Sequence, residues 1–319
     1  MKRHHDMNRF SRRDFLKMSA AGFAGLSVGG ASLLTSSAAQ ARADEDTFRF
    51  AIIADTHIID EFYTGDEWQI YHSANRLAAV REVFNAMNPA IELAINVGDV
   101  IHNYPSTDYD FYFENYTRFD RYKDLADGFN MPIHPCLGNH DYDIGTIDRG
   151  FTHDLVKAKW GLDPYYSTDY KGWKFIAANN FLGDTQDPSS GSYNEMLASF
   201  GETQLQWLEA ELQQGKPTII YFHYPLMLIK PNEVADLGMV SLLRQYRETI
   251  KLVVAGHLHM WLQFGEMYGP PHYVCASTRY DKTAFMIFDV DTRLQTMRVA
   301  NWDKILWGTY NTTESEGRR

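Results

Sequence analysis

The chain has 319 residues, a formal net charge of -11 and an apolar content of 45%. That length suits one large domain with a sizeable core. The acidity argues against a protein that grips nucleic acid, whose affinity rests on basic contacts to phosphate.

The first 43 residues read as an export signal and are set aside before any fold is considered. Lys2, Arg3, Arg9, Arg12, Arg13 and Lys17 form a basic leader, and a glycine- and alanine-rich run from Ser19 to Leu34 follows. Ala39-Gln40-Ala41 and Ala41-Arg42-Ala43 each fit a small-residue cleavage site. The run falls short of the roughly 20 apolar residues that span a bilayer, so no stable membrane span is expected. Ser11-Arg12-Arg13-Asp14-Phe15-Leu16-Lys17 resembles a twin-arginine signal, which implies the twin-arginine export machinery as a partner and a periplasmic or secreted location. Residues 44–310 are then expected to form the domain and 311–319 a disordered tail.

Phe48 to Ala54 reads as a first buried strand, delivering Asp55 and His57 just past its end. Leu77, Val80, Phe84 and Met87 recur at helical spacing, and Pro89 stops that helix. Ile91 to Val97 is a second strand, presenting Gly98-Asp99. A polar and aromatic helix is expected from about Tyr109 to Phe129, and Pro132 to Leu137 is a strand ending at Gly138-Asn139-His140-Asp141. Further along, Trp173 to Asn179 reads as a strand, and Leu205, Leu208 and Leu212 mark an amphipathic helix ending near Gly215. Thr218 to Phe222 runs into His223, and Leu252 to Ala255 runs into Gly256-His257-Leu258-His259. His272 to Ser277 and Ala284 to Val290 read as closing strands. Cys136 and Cys275 lie inside apolar runs and read as separate buried thiols. A disulfide is the alternative that an oxidising compartment permits.

A polar motif thus sits at each carboxyl end, the edge where open α/β sheets bind ligands. The five motifs in this order resemble the calcineurin-like metallophosphoesterases, over about Phe48 to Asp289. The resemblance implies an α/β four-layer sandwich, two mixed β-sheets packed face to face and flanked by α-helices. It also implies two divalent or mixed-valence metal ions, Fe, Mn, Zn or Co, with Asp99 bridging them. Asp55, His57 and His259 would complete one site, and Asn139, His223 and His257 the other. His140 would act at the scissile bond, with Asp141 orienting it and raising its pKa. Hydrolysis of a phosphodiester or phosphomonoester by a hydroxide bridging the ions is the implied reaction.

Departures from the family pattern narrow that reading. The protein serine/threonine phosphatases carry arginines next to the Gly-Asp and Gly-Asn-His motifs, where this chain has Val100-Ile101-His102-Asn103 and Leu137. Purple acid phosphatases place a tyrosine where His102 stands; His102 could reach the pocket mouth or lie on a surface loop. The pattern is closer to the phosphodiesterase-like branch and a small phosphate-ester substrate. Loops Ile59 to Tyr71, Gly183 to Tyr193 and Leu228 to Gly238 are the candidates for substrate selection, with Asp60, Glu61, Tyr63 and Trp68 in the first. A nuclease, or a non-catalytic binding protein with this fold, are the alternatives.

Overall fold

A computed structural model describes residues 46–234, 237–266 and 268–309. The expected leader and tail lie outside the described residues. In chain order, β1 (Thr47–Ile53) is followed by α1 (Trp68–Tyr71) and α2 (Ser73–Asn85). β2 (Leu93–Val97) leads to α3 (Phe111–Glu114) and α4 (Arg118–Asp127), and β3 (Ile133–Cys136) to α5 (Asn139–Tyr142) and α6 (Arg149–Trp160). Next come β4 (Tyr166–Tyr170), β5 (Trp173–Ala177), α7 (Glu202–Leu212), β6 (Thr218–Tyr221) and α8 (Met239–Gln245). The chain closes with β7 (Ile250–Ala255), β8 (Leu262–Gln263), β9 (His272–Val274), β10 (Met286–Asp291) and β11 (Thr296–Val299).

These strands make two mixed sheets, ordered β11-β10-β1-β2-β3 and β4-β5-β6-β7-β9-β8. β1, β2 and β3 are parallel, with β10 and β11 antiparallel beside them. In the second sheet β5, β6, β7 and β9 are parallel between antiparallel edges. Successive side chains of a strand point to opposite faces, and both faces are used. Phe48, Phe50 and Ile52 pack with Leu93, Ile95, Phe175, Ile219 and Val254 in one core between the sheets. The intervening Ala51, Ile53, Ala94, Ile176, Ile220 and Val253 pack in a second core with Leu77, Val80 and Phe84 of α2 and Leu205, Leu208 and Leu212 of α7. Burial on both faces is why these strands appear as continuous apolar runs rather than alternating ones.

The helix expected from Tyr109 to Phe129 is two helices, broken at Asn115-Tyr116-Thr117. Side-chain carboxylates cap the restart: the amide of Thr117 donates to Asp120 at 2.9 Å and that of Arg118 to Asp60 at 2.8 Å. Such capping satisfies amides that a helix start leaves without partners. α6 was not legible from apolar spacing, although Asp148 caps its start and Gly161, at φ 73°, ends it. Both cysteines are free and buried. Among the described residues no helix is long and apolar enough to cross a membrane.

Phe50 stacks on Phe288 at 4.8 Å and meets Phe175 edge-on at 5.3 Å, tying the two sheets together. Phe50→Ala is therefore expected to cost about 3–5 kcal/mol of stability, measurable as a lowered denaturant midpoint.

Candidate metal centre

Parallel strands place their carboxyl ends at one edge, so the loops after β1, β2, β3, β6 and β7 collect there. Backbone bonding continues past the strands: the amides of Asp55 and His57 donate to Gly98 and Asp99 carbonyls at 3.1 and 2.9 Å. Gly256 donates to the His223 carbonyl at 3.0 Å. The sheets are stitched to each other by His223 Nδ1, 2.9 Å from the Val97 carbonyl, and by the His257 amide, 3.1 Å from an Asp55 carboxylate oxygen.

Five of the seven expected ligand residues have positive φ: Asp55 (52°), His57 (45°), Asp99 (48°), His257 (70°) and His259 (52°). A residue with a Cβ rarely adopts this conformation, and such strain concentrates at functional sites. Gly98, at φ 84°, lies so close to His223 that a Cβ there would come within 2.6 Å of its Nδ1. A Cβ at Gly138 would collide with the Asp99 carboxylate and amide.

Three sets of donors overlap here: His57, His102 and His140 make one, and the other two meet at Asp99. Of those two, Asp55, His57, Asp99 and His259 form one, and Asp99, His223 and His257 the other, with the ligand atoms of each set within 4.8 Å of one another. Asp99 belongs to both. Asn139 joins the second through Oδ1, 3.1 Å from His223 Nε2. All seven sequence-predicted ligands thus converge.

The chemistry of these donors fits a cation. With Nδ1 donating to Val97, His223 turns Nε2 toward Asp99 Oδ2 and Asn139 Oδ1, each at 3.1 Å, so that once Nε2 gives up its proton a cation can take that proton's place among three donor atoms. His57 Nε2 is buried without a hydrogen-bond partner, 3.4 Å from the same Asp99 oxygen. Asp55, His57 and His223 are fully buried. Burial opposes charge on His223, yet the Asp99 and Asp55 carboxylates push it up to about 9. Burial by itself would raise Asp99, but the imidazoles of His223, His140 and His57 outweigh it and hold that carboxyl well below its usual range. Burial depresses His57 well below the usual histidine value, and burial, then His223, take His257 down to about 4. Neutral imidazoles are the form that binds metal.

His140 lies in this cluster, its ring 4.8 Å from that of His57. Asp141 does not orient it, contrary to expectation. Its carboxylate points the other way and accepts from the amides of Gly138, Val100 and Ile101 at 2.8, 3.1 and 2.8 Å. The two are successive residues of a helical turn, where neighbours face different directions, so Asp141 holds the loops together instead. The partner of His140 is Asn103, whose Oδ1 is 2.6 Å from its Nδ1. Asn103 was missed, and its one sequence signal is a place four residues past Asp99. His102 belongs to the site, with Nδ1 3.1 Å from His57 Nδ1 and its ring stacked on His140 at 4.6 Å. His72, His134, His153 and His272 lie outside the donor sets.

Among the predicted substrate loops, residues 59–71 reach the site through Tyr63, whose ring meets that of His102 at 5.6 Å. Asp60 faces inward: it is buried and pairs with Arg118 at 2.8 Å. Arg118 in turn donates to the carbonyls of His102 and Asn103. Trp68 packs its own loop, stacked on His72 at 4.0 Å. Residues 186–189 line a separate cleft of about 520 Å³ with residues 144–149. In the third loop the Glu233 carboxylate accepts from the amides of Phe200 and Gly201.

A family model described as calcineurin-like phosphoesterase matches residues 48–261. The chain belongs to this family. Among solved structures it is similar to a dimetal phosphatase from Danio rerio, with TM-score 0.54 and 17% identity over 79% of this chain and 95% of that one. A purple acid phosphatase from yellow lupin gives TM-score 0.46 and 14% identity, over 79% of this chain and 53% of that one. The inner-membrane-complex anchor of Plasmodium gives 0.44 and 14%, over 77% and 81%. No curated protein sequence matches the chain significantly. The fold is that of the family, with two mixed sheets and flanking helices, and the family supports a metal-dependent phosphoester hydrolase.

Gly138→Ala should displace Asp99 and reduce the divalent metal taken up per chain, with far-ultraviolet circular dichroism unchanged. Metal analysis after dialysis checks this, and full occupancy would contradict it.

Proposed function

We propose that this chain is an exported phosphoester hydrolase with a binuclear metal centre, acting on a small phosphodiester or phosphomonoester. The observation that carries the reading is the overlap of the two donor sets at the single carboxylate of Asp99. Both sets meet at one Asp99 oxygen, Oδ2, while Oδ1 accepts from the His140 amide at 2.9 Å, and a single carboxylate oxygen has lone pairs enough to face two ions at once. Asp55, His57, Asp99 and His259 would hold one ion, and Asp99, Asn139, His223 and His257 the other. Two such ions activate a water and stabilise both the entering and the leaving oxygen of an in-line displacement. Imidazole and carboxylate donors without a thiolate suit Fe, Mn, Zn or Co.

His140 is the catalytic acid in this reading. In the protonated ring Nδ1–H donates to Asn103 Oδ1, and the Nε2 proton passes to the leaving-group oxygen as its bond to phosphorus breaks. Asn103 is a positioning residue, and His102 holds the far nitrogen of His57 as metal-bound histidines require of their neighbours. The basic leader supports export by the twin-arginine machinery to the periplasm or beyond. The net charge of -11 supports a small substrate over nucleic acid.

The mature protein should hydrolyse bis(p-nitrophenyl) phosphate or p-nitrophenyl phosphate only with metal bound, and Asp99→Asn should abolish this. Full activity of that variant would rule the mechanism out. His140→Ala should lower kcat by about 10²–10⁴-fold while metal analysis finds the pair retained; loss of metal instead would make His140 a ligand.

A further inference from the structure

An acidic protein that binds an anionic ester needs positive charge near its metals, and the motif-flanking arginines of the protein phosphatases are missing. The basic residues around the site are mostly committed elsewhere. Arg118 is neutralised by Asp60, and Arg149 donates to the Leu182 and Gln186 carbonyls. Arg279 is different.

The loop after β9 carries Arg279 along the rear of the Asp55 turn. Ser277 Oγ and the Arg279 amide both donate to the Asp55 carbonyl, at 2.9 and 3.2 Å, and Thr278 donates to Ala54. The side chain is 8% exposed, and its guanidinium lies over the Tyr280 ring at 4.5 Å. That ring faces His259 at 5.3 Å. Arg279 Nη2 reaches the Tyr280 hydroxyl and, at 3.4 Å, Glu67 Oε2. Nε is buried and has no hydrogen-bond partner. The positive charge acts on His57 and His102, lowering both, although burial is the larger cause. Glu67 is a loose counter-ion on the loop that also carries Tyr63, with a side chain 51% exposed.

We propose that Arg279 is the anion-binding arginine of this pocket, receiving an anionic oxygen of the phosphoester, with Glu67 as the carboxylate that the incoming anion displaces. The inference rests on the metal-dependent hydrolase reading and adds the residue that recognises the phosphoryl charge. A planar guanidinium stacked on an aromatic ring is held ready for two parallel hydrogen bonds to phosphoryl oxygens. The pair at 3.4 Å with a half-exposed partner is weak, so an anion can take its place.

The test uses metal-loaded protein and two readouts: the Kd for inorganic phosphate by calorimetry, and KM for p-nitrophenyl phosphate. Arg279→Met should raise both about tenfold or more with the metal content unchanged, and Arg279→Lys should recover part of the loss. Glu67→Gln, at an exposed site, should lower both several-fold. Wild-type phosphate affinity in Arg279→Met overturns the proposal. Should that variant fail to fold, an unchanged Kd and KM in Glu67→Gln overturns it. A wild-type protein that binds phosphate through Arg279 yet hydrolyses no ester refutes only the hydrolase reading. One that takes up no metal pair refutes both.

Discussion

Two carboxylates, Asp55 and Asp99, lie almost wholly out of water at the edge where the two sheets meet. Buried charge is costly unless paired, so the surroundings must supply positive charge or a means of binding it. Six imidazoles, from His57, His102, His140, His223, His257 and His259, crowd the same space. The two carboxylates push His223 upward against its burial, the direction in which an imidazolium meets part of the demand. Metal ions would meet more of it. Convergence of lone pairs on a small volume is thus the constraint that the surrounding loops exist to hold.

Holding it requires backbone that would not otherwise be adopted. Five donor residues sit at positive φ, each at a cost of order 1–3 kcal/mol that the rest of the fold must offset. The offset is visible in the parallel ladders, which continue as backbone bonds past the strands, and in the core between the sheets. Asp141 contributes by binding three amides, those of Val100 and Ile101 just past Asp99 and that of Gly138 just before Asn139. Its role is to close the frame, and His140 is oriented from the other side by Asn103.

A further layer lies behind the donors. The buried Asp60–Arg118 pair caps α4 and fixes the His102 and Asn103 carbonyls. One dipeptide then steers two histidines: His102 meets His57, and Asn103 meets His140. The break between α3 and α4 follows from the same pair, because Arg118 must stand at a helix start for its amide and its guanidinium to share Asp60. A continuous helix would have turned it elsewhere.

The order of strands and motifs and the gathering of the seven donors were legible in the sequence, because apolar runs mark buried strands, parallel strands present their ends together, and the resemblance to the family named the residues. The helix break, the true partner of His140, the inward turn of Asp60 and the place of Arg279 were not. Each depends on a contact between residues some 37 to more than 200 positions apart. Local pattern records which face of a strand or helix is apolar, and it carries no trace of which polar groups meet when distant loops close on one another. The sequence therefore determined which groups gather around the two carboxylates, and only the tertiary structure decided how those groups are aimed.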